Sequence, residues 1–289
     1  MTTCYFVSDL HGHVRRYTRL FEAILLDPPD ALFLGGDLLP HGLVSKSRPA
    51  VTRADFVDDF LVVEFSRLQE VLQDAYPRIF VILGNDDGRW PEVAFEEASS
   101  RGIWQYIPND KVRWREFLVY GYAYVPPTPF QLKDWDRYDV SRFVDPGSIS
   151  PEEGFYSVPV PENVKRYATI QKDLERLAGL ESLERALFLF HTPPYQSNLD
   201  RLSGHPGTID HVPVDLHGGS IAVKRFIETR QPLITLHGHI HESPRITGSW
   251  KDHIGRTYAF SAAHDGPELA LVRFSPEDPG SATRELLHV

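Results

Sequence analysis

Five short apolar runs in this chain each stop abruptly at a cluster of Asp, Asn or His. Residues 4–8 run into Asp9-Leu10-His11-Gly12, and residues 31–34 into Gly35-Gly36-Asp37. Residues 78–83 run into Gly84-Asn85-Asp86-Asp87, and residues 186–190 into His191-Thr192-Pro193-Pro194. Residues 233–236 run into His237-Gly238-His239-Ile240-His241. Short continuous apolar runs bounded by Gly and Pro are the pattern of strands buried on both faces. Helical stretches separate the first of them. Val14, Tyr17, Leu20, Phe21, Ile24 and Leu25 recur at helical spacing before Asp27-Pro28-Pro29, and Phe56, Phe60, Val63, Leu68, Val71 and Leu72 line one side of residues 55–74. Strand, polar cluster and helix in alternation predict βαβ units, hence an α/β fold with its sheet covered by helices. Open α/β sheets place ligands beyond the carboxyl ends of their strands. The five polar clusters are therefore expected on one rim.

The rest of the chain is organised around that scheme. Residues 124–161 carry seven prolines without a period, which reads as an insertion, either a functional flap or a mobile segment. Among its aromatic residues are Tyr124, Phe130, Trp135 and Tyr138, with Tyr122 just before them. They are expected to pack onto the domain rather than to form a lid over a nucleobase. Residues 164–177 and 220–229 read as helices, and residues 194–218 as a second inserted loop. Residues 245–248, 256–261 and 269–274 read as β-hairpin material. The expected organisation is one domain over residues 1–289 with insertions at about 124–161 and 194–218.

The rim would gather Asp9, His11, Asp37, Asn85, His191, His239 and His241. These are seven oxygen and imidazole donors, too many for one tetrahedral ion and suited to two ions that share a carboxylate. Each piece alone is common. Their conjunction in this order, Asp9-x-His11, Gly36-Asp37, Gly84-Asn85, His191 and Gly238-His239-x-His241, resembles the calcineurin-like metallophosphoesterases. The phrases Gly35-Gly36-Asp37-Leu38, His191-Thr192-Pro193-Pro194-Tyr195 and Gly238-His239-Ile240-His241-Glu242-Ser243 are similar to those of the Icc-related phosphoesterases within that superfamily.

The resemblance implies a four-layer α/β/β/α sandwich and a metal-dependent phosphoric ester hydrolase. It implies two divalent ions, Mn, Fe or Zn, with the sequence not choosing among them. Asp9, His11 and His241 would bind one ion, Asn85, His191 and His239 the other, and Asp37 would bridge them together with a hydroxide that attacks phosphorus in line. Beyond what the resemblance implies, His239 is expected to help neutralise the developing charge.

One position departs from the family pattern. The family usually has a histidine after the Asn of Gly-Asn, and here Asp86 stands in its place. A carboxylate beside two cations stays ionised at pH 7, which makes a poor general acid and repels a phosphate dianion. Asp86 is therefore expected to favour phosphodiesters and activated leaving groups over ordinary monoesters. Its alternative role is to stabilise the following turn. Asn85, His41 and His237 are the candidate substrate contacts, while His13, His205, His211 and His217 are expected at the outer surface.

Composition limits the partners. The formal charge is −10, so bulk nucleic acid would be repelled by the average surface. No apolar run approaches the ~18 residues of a membrane helix. The single cysteine, Cys4, suits a reducing cytoplasmic setting. The expected partner is a small phosphorylated substrate such as a nucleotide or metabolite, and a homo-oligomer is left open. A phosphomonoesterase and a non-catalytic scaffold of the same fold are the alternatives.

Overall fold

The computed structural model describes residues 1–40, 56–204, 208–209, 212–213 and 215–289. His41, His205 and His211 lie outside these residues, as does the start of the helix expected from residue 55.

Two six-stranded sheets form the interior. The first has β1 (Cys4–Val7), β2 (Ala31–Gly35), β3 (Arg78–Ile82) and β4 (Gln105–Tyr106) side by side and parallel. It is extended past β1 by antiparallel β13 (Leu269–Phe274) and β14 (Thr283–Leu287). The second has parallel β6 (Phe117–Tyr122), β7 (Ala186–Phe190), β10 (Ile234–His237) and β12 (Thr257–Ser261). Its antiparallel edges are β5 (Asp110–Trp114) and β11 (Lys251–Ile254). A two-stranded ribbon pairs β8 (Thr208–Ile209) with β9 (Val212–Pro213).

The sheets pack face to face, β2 against β7 and β3 against β6. Helices Val14–Leu26, Val63–Leu72 and Glu92–Ser100 accompany the first sheet, and Ile170–Ala178 packs on Ile221–Arg230 beside the second. This is the expected four-layer α/β/β/α arrangement. Its cause is legible in β1, β2, β7 and β10, where every residue is buried, as strands covered on both faces must be. One continuous cluster of buried side chains runs from Cys4 to Ala282.

Three local expectations need correction. Residues 164–177 are not one helix: Glu162–Tyr167 ends at an extended Ala168, and Thr169 starts Ile170–Ala178 by accepting a hydrogen bond from the Lys172 amide. Residues 245–248 belong to a short helix, Ser243–Thr247, which Pro244 opens and Gly248 closes in the left-handed region, a pairing that favours helix over hairpin. The insertion at 124–161 is neither a standing flap nor a loose segment. Asp134 accepts the amides of Arg89 and Ser157 at 2.7 and 2.8 Å, and Lys133 and Asp136 form a fully buried ion pair at 2.6 Å. Trp135, Tyr138, Tyr122 and Tyr124 are buried, as the packing reading requires, whereas Phe130 is exposed.

Candidate metal centre

Each of the seven expected donors sits just past a strand end, and four of them share an unusual backbone. Asp9, His11, Asp37 and His239 have φ of 56°, 48°, 53° and 73°, in the left-handed region that β-strand exits rarely enter. Such conformations persist where the surroundings hold them, and they concentrate at functional sites. Here the holding contacts are visible. The amides of Asp9, His11 and Gly12 donate to the carbonyls of Gly36, Asp37 and Leu38, which stitches the first strand exit to the second. The His239 amide donates to Asp9 Oδ1 at 3.0 Å, which joins the exit of β10 to that of β1 across the two sheets.

The donor atoms of Asp9, His11, Asp37 and His241 all lie within 4.8 Å of one another. His11 Nε2 is 3.2 Å from His241 Nε2, and His241 Nε2 is 3.3 Å from Asp9 Oδ1. On the other side, His191 Nε2 lies 3.3 Å from Asp37 Oδ2 and 3.1 Å from Asn85 Oδ1. His191 Nδ1 donates to the Gly35 carbonyl at 2.8 Å, which leaves Nε2 as the lone-pair atom that faces the cluster. The His239 ring lies 5.3 Å from that of His191. The structure thus gathers the donor atoms of Asp9, His11, Asp37 and His241, sets His191 beside Asp37 and Asn85, and lays the His239 ring near that of His191.

Charge in this cluster is dominated by burial and by close carboxylate–imidazole pairs. Burial pushes the Asp37 carboxyl up to about 7, with Asp86 and Asp87 adding to the effect and His191 opposing it. Burial opposes charge on His191 as well, but Asp37 outweighs it and raises that imidazole to about 10. Burial likewise disfavours charge on His241, yet Asp9 raises it to about 9. Asp9 is buried too, and His241, His191 and His11 together hold it below the usual carboxylate range. His239 is pushed down to about 3, first by burial and then by His191, so it is neutral at pH 7. A neutral imidazole offers a lone pair. A donor set of carboxylates and imidazoles, held within metal-ligand range and balanced by protons that a cation would displace, fits divalent ions. Gly84 belongs to the same cradle: a Cβ there would come within 2.6 Å of His191 Nε2 and would collide with Asp37 Oδ1.

Three residues that the strand-end pattern does not single out hold the donors. Ser8 Oγ donates to Asp9 Oδ2 at 2.5 Å. The buried Asp87 carboxylate accepts the amides of Leu38 at 3.0 Å, Leu39 at 2.9 Å and Gly84 at 3.0 Å, tying the loop after Asp37 to the turn that carries Asn85. Arg16 donates to the Asp9 carbonyl at 2.9 Å and to Gly266 at 2.6 Å. Arg16 leaves no local sequence signal, since its partners are backbone carbonyls distant in the chain.

Asp86 lies at the cluster. Its amide donates to Asp37 Oδ1 at 2.8 Å, its Oδ1 accepts from Asn85, and its Oδ2 is 3.6 Å from His11 Nδ1. His237 does not reach the cluster. It is fully buried, with Nδ1 2.9 Å from the Thr192 carbonyl, Nε2 2.8 Å from Thr235 Oγ1, and its ring stacked on Phe190. Both nitrogens are taken, which leaves none for a substrate. His217 is also not an outer-surface residue: its Nδ1 is 2.9 Å from the buried Asp200.

The model of the calcineurin-like phosphoesterases matches residues 2–243. The chain belongs to this family. The match spans every donor of the cluster. No match was found among curated proteins. Among solved structures, one aligns with 99% of this chain and 99% of its own, at 16% identity and a TM-score of 0.60. The Thermus thermophilus protein TT1561 aligns over 99% of this chain and 98% of its own, at 16% identity and a TM-score of 0.55. At such identities the likeness is one of fold. Membership in the family implies a metal-dependent phosphoester hydrolase. Among the described residues no helix is long and apolar enough to cross a membrane.

Proposed function

We propose that this calcineurin-like phosphoesterase is a dinuclear enzyme that prefers phosphodiesters, acting on a nucleotide or a small phosphorylated metabolite. Divalent ions held by the two donor groups would polarise the phosphoryl oxygens and lower the pKa of water for in-line displacement. The chain's own residues account for the rest. Asp37 is positioned between the groups by the Asp86 amide and shares its environment with His191. Asn85 is oriented by His191 on one side and Asp86 on the other.

The observation that carries the diester preference is the place of Asp86. Its carboxylate stands at the cluster, against His11 Nδ1, where the family's proton-donating histidine would be expected. At 3.6 Å the carboxylate is in ion-pair range of that nitrogen without a hydrogen bond to it, and its charge favours the ring proton on Nδ1, so that Nε2 faces the donors. A group used in this way does not protonate a leaving oxygen, and its negative charge disfavours a dianionic monoester over a monoanionic diester. The test is hydrolysis of bis(p-nitrophenyl) phosphate with Mn²⁺ and with chelator. Turnover that needs the ion supports the enzyme, and turnover that survives chelation contradicts it. Metal-loaded protein without turnover of any phosphoester would instead favour the non-catalytic scaffold.

A further inference from the structure

Away from the metal cluster, the insertion and the helix Glu162–Tyr167 enclose a cavity of about 230 Å³. Two arginines line it. Arg89, 28% exposed at its side chain, uses Nε to donate to Glu92 at 2.7 Å, and its guanidinium lies over Trp135. Arg137, 13% exposed, uses one terminal nitrogen to donate to Asp173 at 2.6 Å, and its guanidinium lies 3.7 Å from the centroid of the Tyr124 ring. A guanidinium has five N–H donors. Among the described residues the remaining donors of both arginines, and the Tyr124 hydroxyl, have no acceptor. Two mostly buried cations with donors left over on one cavity wall are an arrangement for a carboxylate or phosphate.

Behind the wall lies a carboxylate whose side chain the cavity does not reach. Asp136 is buried, its Oδ2 is taken by Lys133 and by the amide and hydroxyl of Thr128, and its Oδ1 has no hydrogen-bond partner. Asp134 also lines the wall, but its oxygens are occupied by the amides of Arg89 and Ser157 and by the Ser157 hydroxyl. A buried carboxylate oxygen without a donor is costly to leave so. Tyr156 and Pro159 supply an apolar side. A wider groove of about 550 Å³ shares Tyr124, Arg137 and Val164 with this cavity and adds Lys172 and Arg176.

We propose that this cavity binds a small carboxylate or phosphate. The anion lies on Arg89, Arg137 and Tyr124. The site does not depend on the metal chemistry, so its test does not depend on turnover. Metal-loaded protein is titrated with glycolate and with sulfate by calorimetry. Both anions bind. Arg89→Gln, Arg137→Gln and Tyr124→Phe each weaken glycolate about tenfold or more. Arg137 also pairs with buried Asp173, so if its variant fails to fold the other two decide. Glycolate that competes with bis(p-nitrophenyl) phosphate in the wild type but not in Arg89→Gln marks the anion as part of the substrate. Binding without competition marks a separate ligand. Absence of glycolate binding, or variants that bind it as the wild type does, overturns the proposal.

Discussion

Asp86 Oδ2 stands 3.6 Å from Nδ1 of His11 while the Asp86 amide holds Asp37 Oδ1 at 2.8 Å. One residue thus touches His11 and Asn85 through its side chain and Asp37 through its backbone. The backbone contact survives any substitution, whereas the side-chain contact does not. Asp86→Asn is therefore expected to keep the fold and to weaken metal affinity about 10- to 100-fold, the usual cost of losing a carboxylate behind a histidine ligand. Unchanged affinity by metal titration would show that His11 does not rely on Asp86.

Asp86→His tests the same position from the catalytic side. A histidine there restores a group that can protonate a leaving oxygen, an effect that is worth about 10²–10⁴-fold in general acid catalysis. Turnover of phenyl phosphate, whose leaving group needs that proton, is expected to rise at least about tenfold. No rise would place the limit on monoesters elsewhere.

The Asp37 carboxylate lies in donor range of Asp9, His11 and His241 and 3.3 Å from His191 Nε2. Asp37→Asn is expected to lower metal content and to cost about 100-fold or more in turnover, since it removes the carboxylate shared by the two donor groups. Metal analysis by mass spectrometry beside the rate on bis(p-nitrophenyl) phosphate decides this. Wild-type turnover in the variant would end the dinuclear account.

In the sequence Asp87 is only the end of Gly84-Asn85-Asp86-Asp87, yet it accepts three buried amides from two loops. Asp87→Ala leaves those amides without their acceptor, at a cost of about 2–4 kcal/mol for a charge-assisted set of this kind. Denaturant unfolding measures it. A change under about 1 kcal/mol would mean that water replaces the carboxylate.

Asp136 gives a pH dependence with a definite sign. Burial raises its carboxyl from the ordinary 3.8 to about 6, against the pull of Lys133. Between those values the folded chain keeps a proton that the unfolded chain has lost, so stability falls as pH rises. This contribution is fully present below about pH 4 and gone above about pH 6, and two pKa units correspond to at most about 3 kcal/mol. Asp136→Asn is expected to flatten the stability profile between pH 4 and 6. An unchanged slope in that window would show that Asp136 does not titrate there.

The strand ends were legible because burial on both faces writes itself as continuous apolar residues, and Cys4–Val7, Ala31–Gly35 and Ala186–Phe190 are such runs. The edge strands Asp110–Trp114 and Thr283–Leu287 were not, since their alternating, partly exposed residues carry no such signature. The metal donors were legible for the same reason as the strands that present them. His237 departs from expectation because alternation along a strand fixes a face only until the strand ends. In the structure its two nitrogens are spent on Thr192 and Thr235 before the turn begins. The insertion was hard to read because what fixes it is buried polar pairing, Lys133 with Asp136 and Asp134 with two amides, and pairing over such loops leaves no periodicity.

The most direct measurement of the central claim is the ratio of kcat/KM for bis(p-nitrophenyl) phosphate to that for p-nitrophenyl phosphate in the Mn²⁺-loaded wild-type protein. With the Asp86 carboxylate at the centre, the ratio is expected to exceed one, and turnover of both to vanish in chelator. A ratio below one, with metal-dependent turnover, would contradict the role given to Asp86 and make the protein a phosphomonoesterase.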